Sequence, residues 1–398
     1  MSVITIDNEV VQVDPQLLFQ RLILAANASE DLPSIFRYEL SSYPSSLFDS
    51  PFMLRQANKP ALAEAIWSAL SKEVTSETAP SDPDIQYVLD GGALLHRVVW
   101  PSVASATFGY VCSLYCAYVT RKYSKATVVF DGYGDSMSTK QMTQNRRSSG
   151  KVGPTVTFTE EMKITQKKDV FLSNKDNKER FIAMLSESLR QHNCETRHAN
   201  GDADLLIAKT AIHSASTQTT VLIRDDTDLL VLLLFHADPN AKELFFIPEP
   251  KTNTLRRRRI WNIRKIKTEL GTEVCDNMLF LHAVLGCDTT SRVHGLGKGA
   301  ALKKFMTSPE YRQHAAAFQS SSTREEVTTA GENALVLLLN GKCRQSLDLL
   351  RYQRYQERLA TKSSKVDAKG LPPTSAAVKY HSLRVHAQVL QWRGEDVN

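Results

Sequence analysis

The sequence is poor in cysteine, with six in 398 residues and none of them in a CxxC pair. That scarcity argues against a zinc ribbon and a disulfide scaffold, and for a reducing compartment. A secretory signal is not expected either, because Asp7, Glu9 and Asp14 fall where a basic end and an apolar core would be needed. No internal repeat is visible, and 42% hydrophobic with 23% charged residues excludes wholesale disorder. One uncharged run, Val98 to Thr120, is long enough to span a bilayer. It contains Pro101, Gly109 and several serines, threonines and tyrosines, so it reads as a helix packed on a sheet, and no membrane partner is expected. What remains is a chain long enough for two or three domains, with ample core.

Residues 1–84 show helical periodicity in pieces, such as Leu62, Ile66 and Leu70, broken by several prolines. The expectation there is a helical N-terminal extension. From Ile85 the pattern changes to short apolar strands followed by helical stretches. IQYVLD precedes a helix from about Ser102 to Tyr123, ATVVFD comes before a helix around Lys178 to Gln191, CETRHA before one around Asp204 to Ala215, and TTVLIRDD follows. Such alternation predicts an α/β domain with a mainly parallel sheet. LFFIPEP and RRRRIWNI read as further strands, Glu273 to Leu285 as a helix, and residues 306–398 as a helical C-terminal region.

The acids fall where these strands end. Asp90 closes YVLD, Asp131 closes VVFD, and Asp226 and Asp228 follow TVLIR. Asp202 and Asp204 come just after CETRHA, and Asp288 lies in the LGCDTT loop. In an open parallel sheet the carboxyl ends of the strands share one edge, where ligands bind, so these seven carboxylates are expected to converge. Taken singly, an Asp at a strand end is more often a helix cap than a ligand; the order of the set is what favours a site. Clustered carboxylates repel one another unless hard cations neutralise them, and oxygen-only donors favour Mg²⁺ or Mn²⁺. Two such ions are a standard means of phosphodiester hydrolysis.

At these residues the chain resembles the PIN-like nucleases, and within them the flap endonuclease and XPG-like 5′ nucleases. The pieces are IQYVLDGGALLHR at Asp90, VVFDGYG at Asp131, the alanine-spaced pair Asp202 and Asp204, the D-x-D of Asp226 and Asp228, and LGCDTTSRVHGLGKGAALKKF at Asp288. They occur in the family's order over roughly residues 85–305. The resemblance implies a three-layer PIN-like domain, 85–305, carrying a helix-hairpin-helix-like element at 286–305. It also implies a two-metal nuclease acting on DNA or RNA, with the seven aspartates as metal ligands. Lys140, Arg146 and Arg147 would stabilise charge on the scissile phosphate, and His96 sits where the family places an aromatic that stacks on a base. Two departures are plain. The family's Glu-Ala-Glu is Asp-Ala-Asp here, and Ser148 to Asn177 shows no long helix of the kind that builds an arch over single strands.

Charge is uneven. Lys251 to Lys304 holds twelve Lys/Arg and four Asp/Glu, a balance of +8 within a whole-chain balance of +6. This is the footprint of a polyanion-binding surface. In the hairpin, Gly295, Gly297 and Gly299 let backbone amides approach a phosphate, with Lys298, Lys303 and Lys304 beside them; the resemblance adds a bound monovalent cation. Arg256, Arg257, Arg258 and Arg259 read either as a further nucleic-acid contact or as a nuclear localisation signal. The expected location is intracellular and nuclear. The competing expectation is a non-catalytic nucleic-acid-binding or scaffold protein of the same fold, and which protein partners the helical ends bind is not given by the sequence. A phosphatase is disfavoured, since FDGYGDS spaces Asp131 and Asp135 wrongly for a DxDx[TV] nucleophile.

Overall fold

The computed structural model describes residues 2–6, 9–14, 32–81, 84–101, 106–132, 152–249, 259–361 and 366–395. The chain forms two compact units, residues 70–272 and residues 1–69 together with 273–398.

The unit of residues 70–272 is built on a six-stranded sheet. Apart from the short helices Lys72–Thr75 and Lys168–Leu172, its elements in chain order are β1 (Gln86–Asp90), α1 (Gly91–Arg97), α2 (Phe108–Tyr123), β2 (Ala126–Phe130), α3 (Lys175–Gln191), β3 (Glu195–His198), α4 (Asp204–Ala215), β4 (Thr220–Ile223), α5 (Thr227–His236), β5 (Leu244–Ile247), β6 (Trp261–Asn262) and α6 (Ile263–Leu270). The strand order is 6-5-4-1-2-3, parallel except for the antiparallel edge strand β6. This is the mainly parallel α/β architecture that the PIN-like resemblance implied. β1 and β2 sit centrally and must be apolar on both faces, and all five residues of β2 are buried. Side chains alternate between faces. Leu89, Val128 and Phe130 join the core made with α2 and α3, including Val111, Tyr115, Phe181 and Leu185. On the opposite face α4 packs against β1, β4 and β5 through its own buried Ile207, Ala208 and Ala211.

Two local expectations are corrected here. The helix expected from about Ser102 begins at Phe108, because the Thr107 side chain accepts the Tyr110 amide and caps it; residues 102–105 lie outside the described ones. Among the described residues of RRRRIWNI, Trp261–Asn262 form the strand, and it stops there because the Asn262 side chain accepts the Lys265 amide and starts α6 at once.

In the other unit the N-terminal piece is not simply helical. Ser2–Ile6 and Glu9–Val13 pair antiparallel, as do Phe48–Ser50 and Met53–Leu54, before the helix Pro60–Ala69. The β-branched types in SVITI and EVVQV favour extended chain. That helix packs against Lys298–Thr307, and Arg324–Leu338 packs against the long helix Ser375–Arg393. Residues 273–305, expected to belong with the α/β domain, are part of this unit. The helix expected over Glu273 to Leu285 is broken at Asn277 into Thr272–Asp276 and Met278–Val284. Among the described residues no helix is long and apolar enough to cross a membrane.

Candidate active site

Strand order reverses between β1 and β4, which makes their carboxyl ends the topological switch point of the sheet. Asp90 is the last residue of β1, and Arg224 and Asp226 follow β4. Asp90 caps α1 with Oδ1, which accepts the Ala93 amide at 3.0 Å. Asp226 caps α5 in the same way, its Oδ1 accepting the Asp228 amide at 3.0 Å. Each cap fixes a carboxylate and leaves its Oδ2 turned elsewhere.

Asp131 is placed by a close approach of two loops. The Gly132 amide donates to the Gly201 carbonyl at 2.8 Å, and a Cβ on Gly132 would lie 2.1 Å from the Ala199 carbonyl oxygen. Only glycine allows this contact, which brings the loop after β3 against the end of β2. Asp131 Oδ1 then accepts the Ala203 amide, between Asp202 and Asp204, at 3.1 Å. Of that pair Asp202 is exposed and Asp204 buried. Asp228 is also buried, in the first turn of α5, which packs against α4.

Asp90 and Asp131 face a common position. A Cβ at Gly92 would sit 3.1 Å from Asp90 Oδ1 and 3.3 Å from Asp131 Oδ2. The glycine thus leaves room between two carboxylates, an all-oxygen donor set that fits a hard divalent cation. Among the described residues, however, no group of three or more His, Cys, Asp or Glu side chains is gathered closely enough to hold a metal ion. Basic side chains stand between the acids. Arg224 Nε lies 3.1 Å from Asp90 Oδ2 and its Nη2 3.8 Å from Asp226 Oδ2. Lys178, on α3, is half-buried; burial holds its ammonium below the ordinary lysine value while Asp131 and Asp90 pull it back up. Neither cation was marked by the sequence. Arg224 is a basic residue directly after a strand, a weak signal, and Lys178 comes to the acids only through the packing of α3.

His96, in the last turn of α1, is an exposed residue. Desolvation of its ring, then the positive charges of Lys168, Lys178 and Arg224, keep its pKa below the ordinary histidine value, with Asp169 acting the other way. Lys140, Arg146 and Arg147, and Arg256, Arg257 and Arg258, lie outside the described residues, while Arg259 is half-buried. Cys112 and Cys116 are buried core thiols; burial, then Cys116 and Glu160, pushes the Cys112 thiol up to about 12.

Asp288 belongs to the other unit, where its Oδ2 pairs with Lys59 Nζ at 2.8 Å. The hairpin that follows has Gly295 at φ 82°, in the left-handed region, and Gly295, Gly297 and Gly299 are all exposed. Its lysines differ. Lys298 is buried, its Nζ donating to the Gly286 carbonyl at 2.8 Å and lying 3.1 Å from His282 Nδ1. Lys304 donates to the Leu337 carbonyl and, at 2.9 Å, to Asn340 Oδ1, tying down the end of Arg324–Leu338. Lys303 is exposed.

No family model matches the chain, and no curated protein matches it. Among solved structures it is similar to a T5 5′-exonuclease at 12% identity and TM-score 0.34, over 77% of this chain and 86% of that one. It is similar to the catalytic core of Rad2 in complex with DNA substrate at 15% and 0.35, over 72% and 81%. A bacteriophage T5 flap endonuclease, in a pseudo-enzyme-product complex with DNA and metal ions, gives 14% and 0.34, over 76% and 99%.

Proposed function

We propose that the chain is a metal-dependent nuclease hydrolysing phosphodiester bonds in DNA or RNA. The observation that carries this reading is the pair Asp90 and Asp131, turned on one open position above Gly92 beside the switch point of the sheet. Asp90, Asp131 and Asp226 would hold Mg²⁺ or Mn²⁺, with Asp202, Asp204 and Asp228 completing the set for a second ion. Bound there, the ions supply an activated water and charge stabilisation at the leaving oxygen. The chain's own residues hold the geometry. Backbone amides of Ala93, Ala203 and Asp228 each fix one oxygen of Asp90, Asp131 and Asp226. Lys178 adds positive charge for the scissile phosphate, a role Lys140, Arg146 and Arg147 would share. His96, exposed among cations, suits a nucleotide ring.

The glycines of the hairpin and exposed Lys303 suit phosphate contact without reading of sequence. Lys298, engaged with the Gly286 carbonyl, supports the hairpin instead, and Lys304 holds the end of Arg324–Leu338. The test is cleavage of labelled single-strand, duplex, flap and RNA substrates by the purified chain with Mg²⁺ or Mn²⁺; no cleavage of any of them would end the enzymatic reading.

The second reading, a nucleic-acid-binding protein without catalysis, is favoured by one observation: Arg224 already shares Asp90 and Asp226. It expects binding to the same substrates with no metal-dependent cleavage.

A further inference from the structure

The hairpin of Phe48–Ser50 and Met53–Leu54 carries the most exposed large apolar side chain among the described residues. Pro51 and Phe52 form its turn; Phe52 is 89% exposed, and Pro51 and Met53 on either side of it are exposed as well. Three consecutive apolar residues at a tip add almost nothing to the core, and such a run is expected where it meets a partner. The tip is held from behind. Arg55 Nη2 donates to the Ser45 carbonyl at 2.6 Å and to the Phe48 carbonyl at 3.0 Å, while Nη1 pairs with Asp49 Oδ1 at 2.6 Å. Asp49 is the hairpin's only acid, so this pair neutralises it. The base of the hairpin is joined to the chain that enters the glycine-rich turn. The Arg292 amide donates to the Arg55 carbonyl at 3.0 Å and the His294 amide to the Ser46 carbonyl at 2.8 Å, one residue before Gly295.

Positive charge gathers at that base. Arg292 and Arg384 are half-buried, each with a buried Nε that has no acceptor among the described residues, and the Arg384 guanidinium lies 5.8 Å from the centre of the Phe48 ring. Burial first, then Arg55, Lys369 and Arg292, holds the His294 ring below the ordinary histidine value, with Asp367 opposing them. An aromatic tip beside arginines and exposed glycines suits a nucleic acid, whose bases offer faces for stacking and whose phosphates are counter-ions for the arginines. An apolar protein surface would cover the tip but leave those charges unmet. We propose that Phe52 stacks on an unpaired base of a nucleic acid whose adjoining backbone is held at the glycine-rich turn. The inference rests on nucleic-acid binding at that turn, which both readings above expect, and not on metal. Bases within a duplex already stack on one another, and opening a step costs free energy; an unpaired base offers a face without that cost. The hairpin precedes Ile85, where the resemblance begins, so the resemblance does not supply this contact.

The experiment uses the full chain in EDTA, where binding is read apart from cleavage. Fluorescence anisotropy titrations compare wild type, Phe52→Ala and Phe52→Trp on a blunt duplex and on the same duplex with an unpaired stretch at one end, and 2-aminopurine placed along that stretch reports stacking. Phe52→Ala is expected to bind the tailed duplex about ten-fold more weakly than wild type, to lose the 2-aminopurine quench, and to bind the blunt duplex as wild type does. Its salt dependence should match wild type, because no phosphate contact is removed. Phe52→Trp should keep both affinity and quench, which separates stacking from a folding defect. Equal affinity and quench in wild type and Phe52→Ala, or an equal loss on both substrates, would overturn the proposal and leave the nucleic-acid reading standing. So would a wild-type dimer, seen by sedimentation, that Phe52→Ala breaks without altering nucleic-acid binding, since the tip would then join two copies of the chain. Failure of wild type to bind either substrate would end the nucleic-acid reading and the proposal with it.

Discussion

Asp131 Oδ1 accepts the Ala203 amide at 3.1 Å, so the acid that follows β2 is tied to the backbone of the acid pair that follows β3. The bond depends on Gly132, whose amide reaches the Gly201 carbonyl at 2.8 Å. The acids that follow β2 and β3 are therefore held against one another by main-chain contacts between loops.

Gly132→Ala should break that assembly. The added Cβ would meet the Ala199 carbonyl oxygen at 2.1 Å, a backbone atom that cannot rotate aside. A loss of about 2–3 kcal/mol in urea unfolding is expected, together with loss of cleavage. Wild-type stability in a clean preparation would show that the two loops are not locked together.

The hairpin lysines should separate by experiment. Lys298→Gln removes a buried ammonium from the Gly286 carbonyl and His282, and should cost about 2–4 kcal/mol of stability. Lys303→Gln, at an exposed site, should leave stability within about 0.5 kcal/mol. It should instead reduce the salt dependence of duplex binding by roughly one unit of log-log slope. Melting curves and salt titrations on both variants check this; an unchanged slope in Lys303→Gln would move the phosphate contact elsewhere.

A third expectation concerns acid. His381 is fully buried in Ser375–Arg393, with Nε2–H donating to the Val284 carbonyl at 3.1 Å. Burial, and secondarily Arg384, lowers its pKa from 6.5 to about 4. The unfolded chain thus binds a proton that the folded chain refuses between those values. Stability from this residue is fully present above pH 6.5 and is lost as pH falls toward 4, by about 3 kcal/mol at most. Denaturant titrations at pH 7 and 4.5 should show the loss in wild type and much less of it in His381→Gln; equal losses would place the acid sensitivity in other groups.

The sheet was legible because its central strands are short, mostly apolar runs, with Val88 and Leu89 of β1 and all of β2 buried. QYVLD and ATVVF read as strands from composition alone; the first ends in Asp90 and the second is followed directly by Asp131. Capping was the harder signal. Thr107 and Asn262 decide where α2 and α6 begin, and each cuts into a segment whose apolar pattern suggested something else. The short N-terminal hairpin was hidden by leucine spacing further along the same segment. At the site the acids were visible, but the cations among them were not. Lys178 and Arg224 reach Asp90 through packing of α3 and the parallel pairing of β1 with β4, which no spacing along the chain records. The burial of Lys298 was likewise invisible, since a lysine among glycines reads as exposed.

The most direct measurement is metal-dependent turnover on the best substrate by wild type, Asp90→Asn and Asp131→Asn, with and without EDTA, alongside binding of the same substrate. The proposed function expects cleavage in Mg²⁺ or Mn²⁺ and none in EDTA, with each variant slower by about 100-fold or more while binding is largely kept. Undiminished turnover in Asp131→Asn, or cleavage that persists in EDTA, would contradict a metal-assisted nuclease built on these two carboxylates.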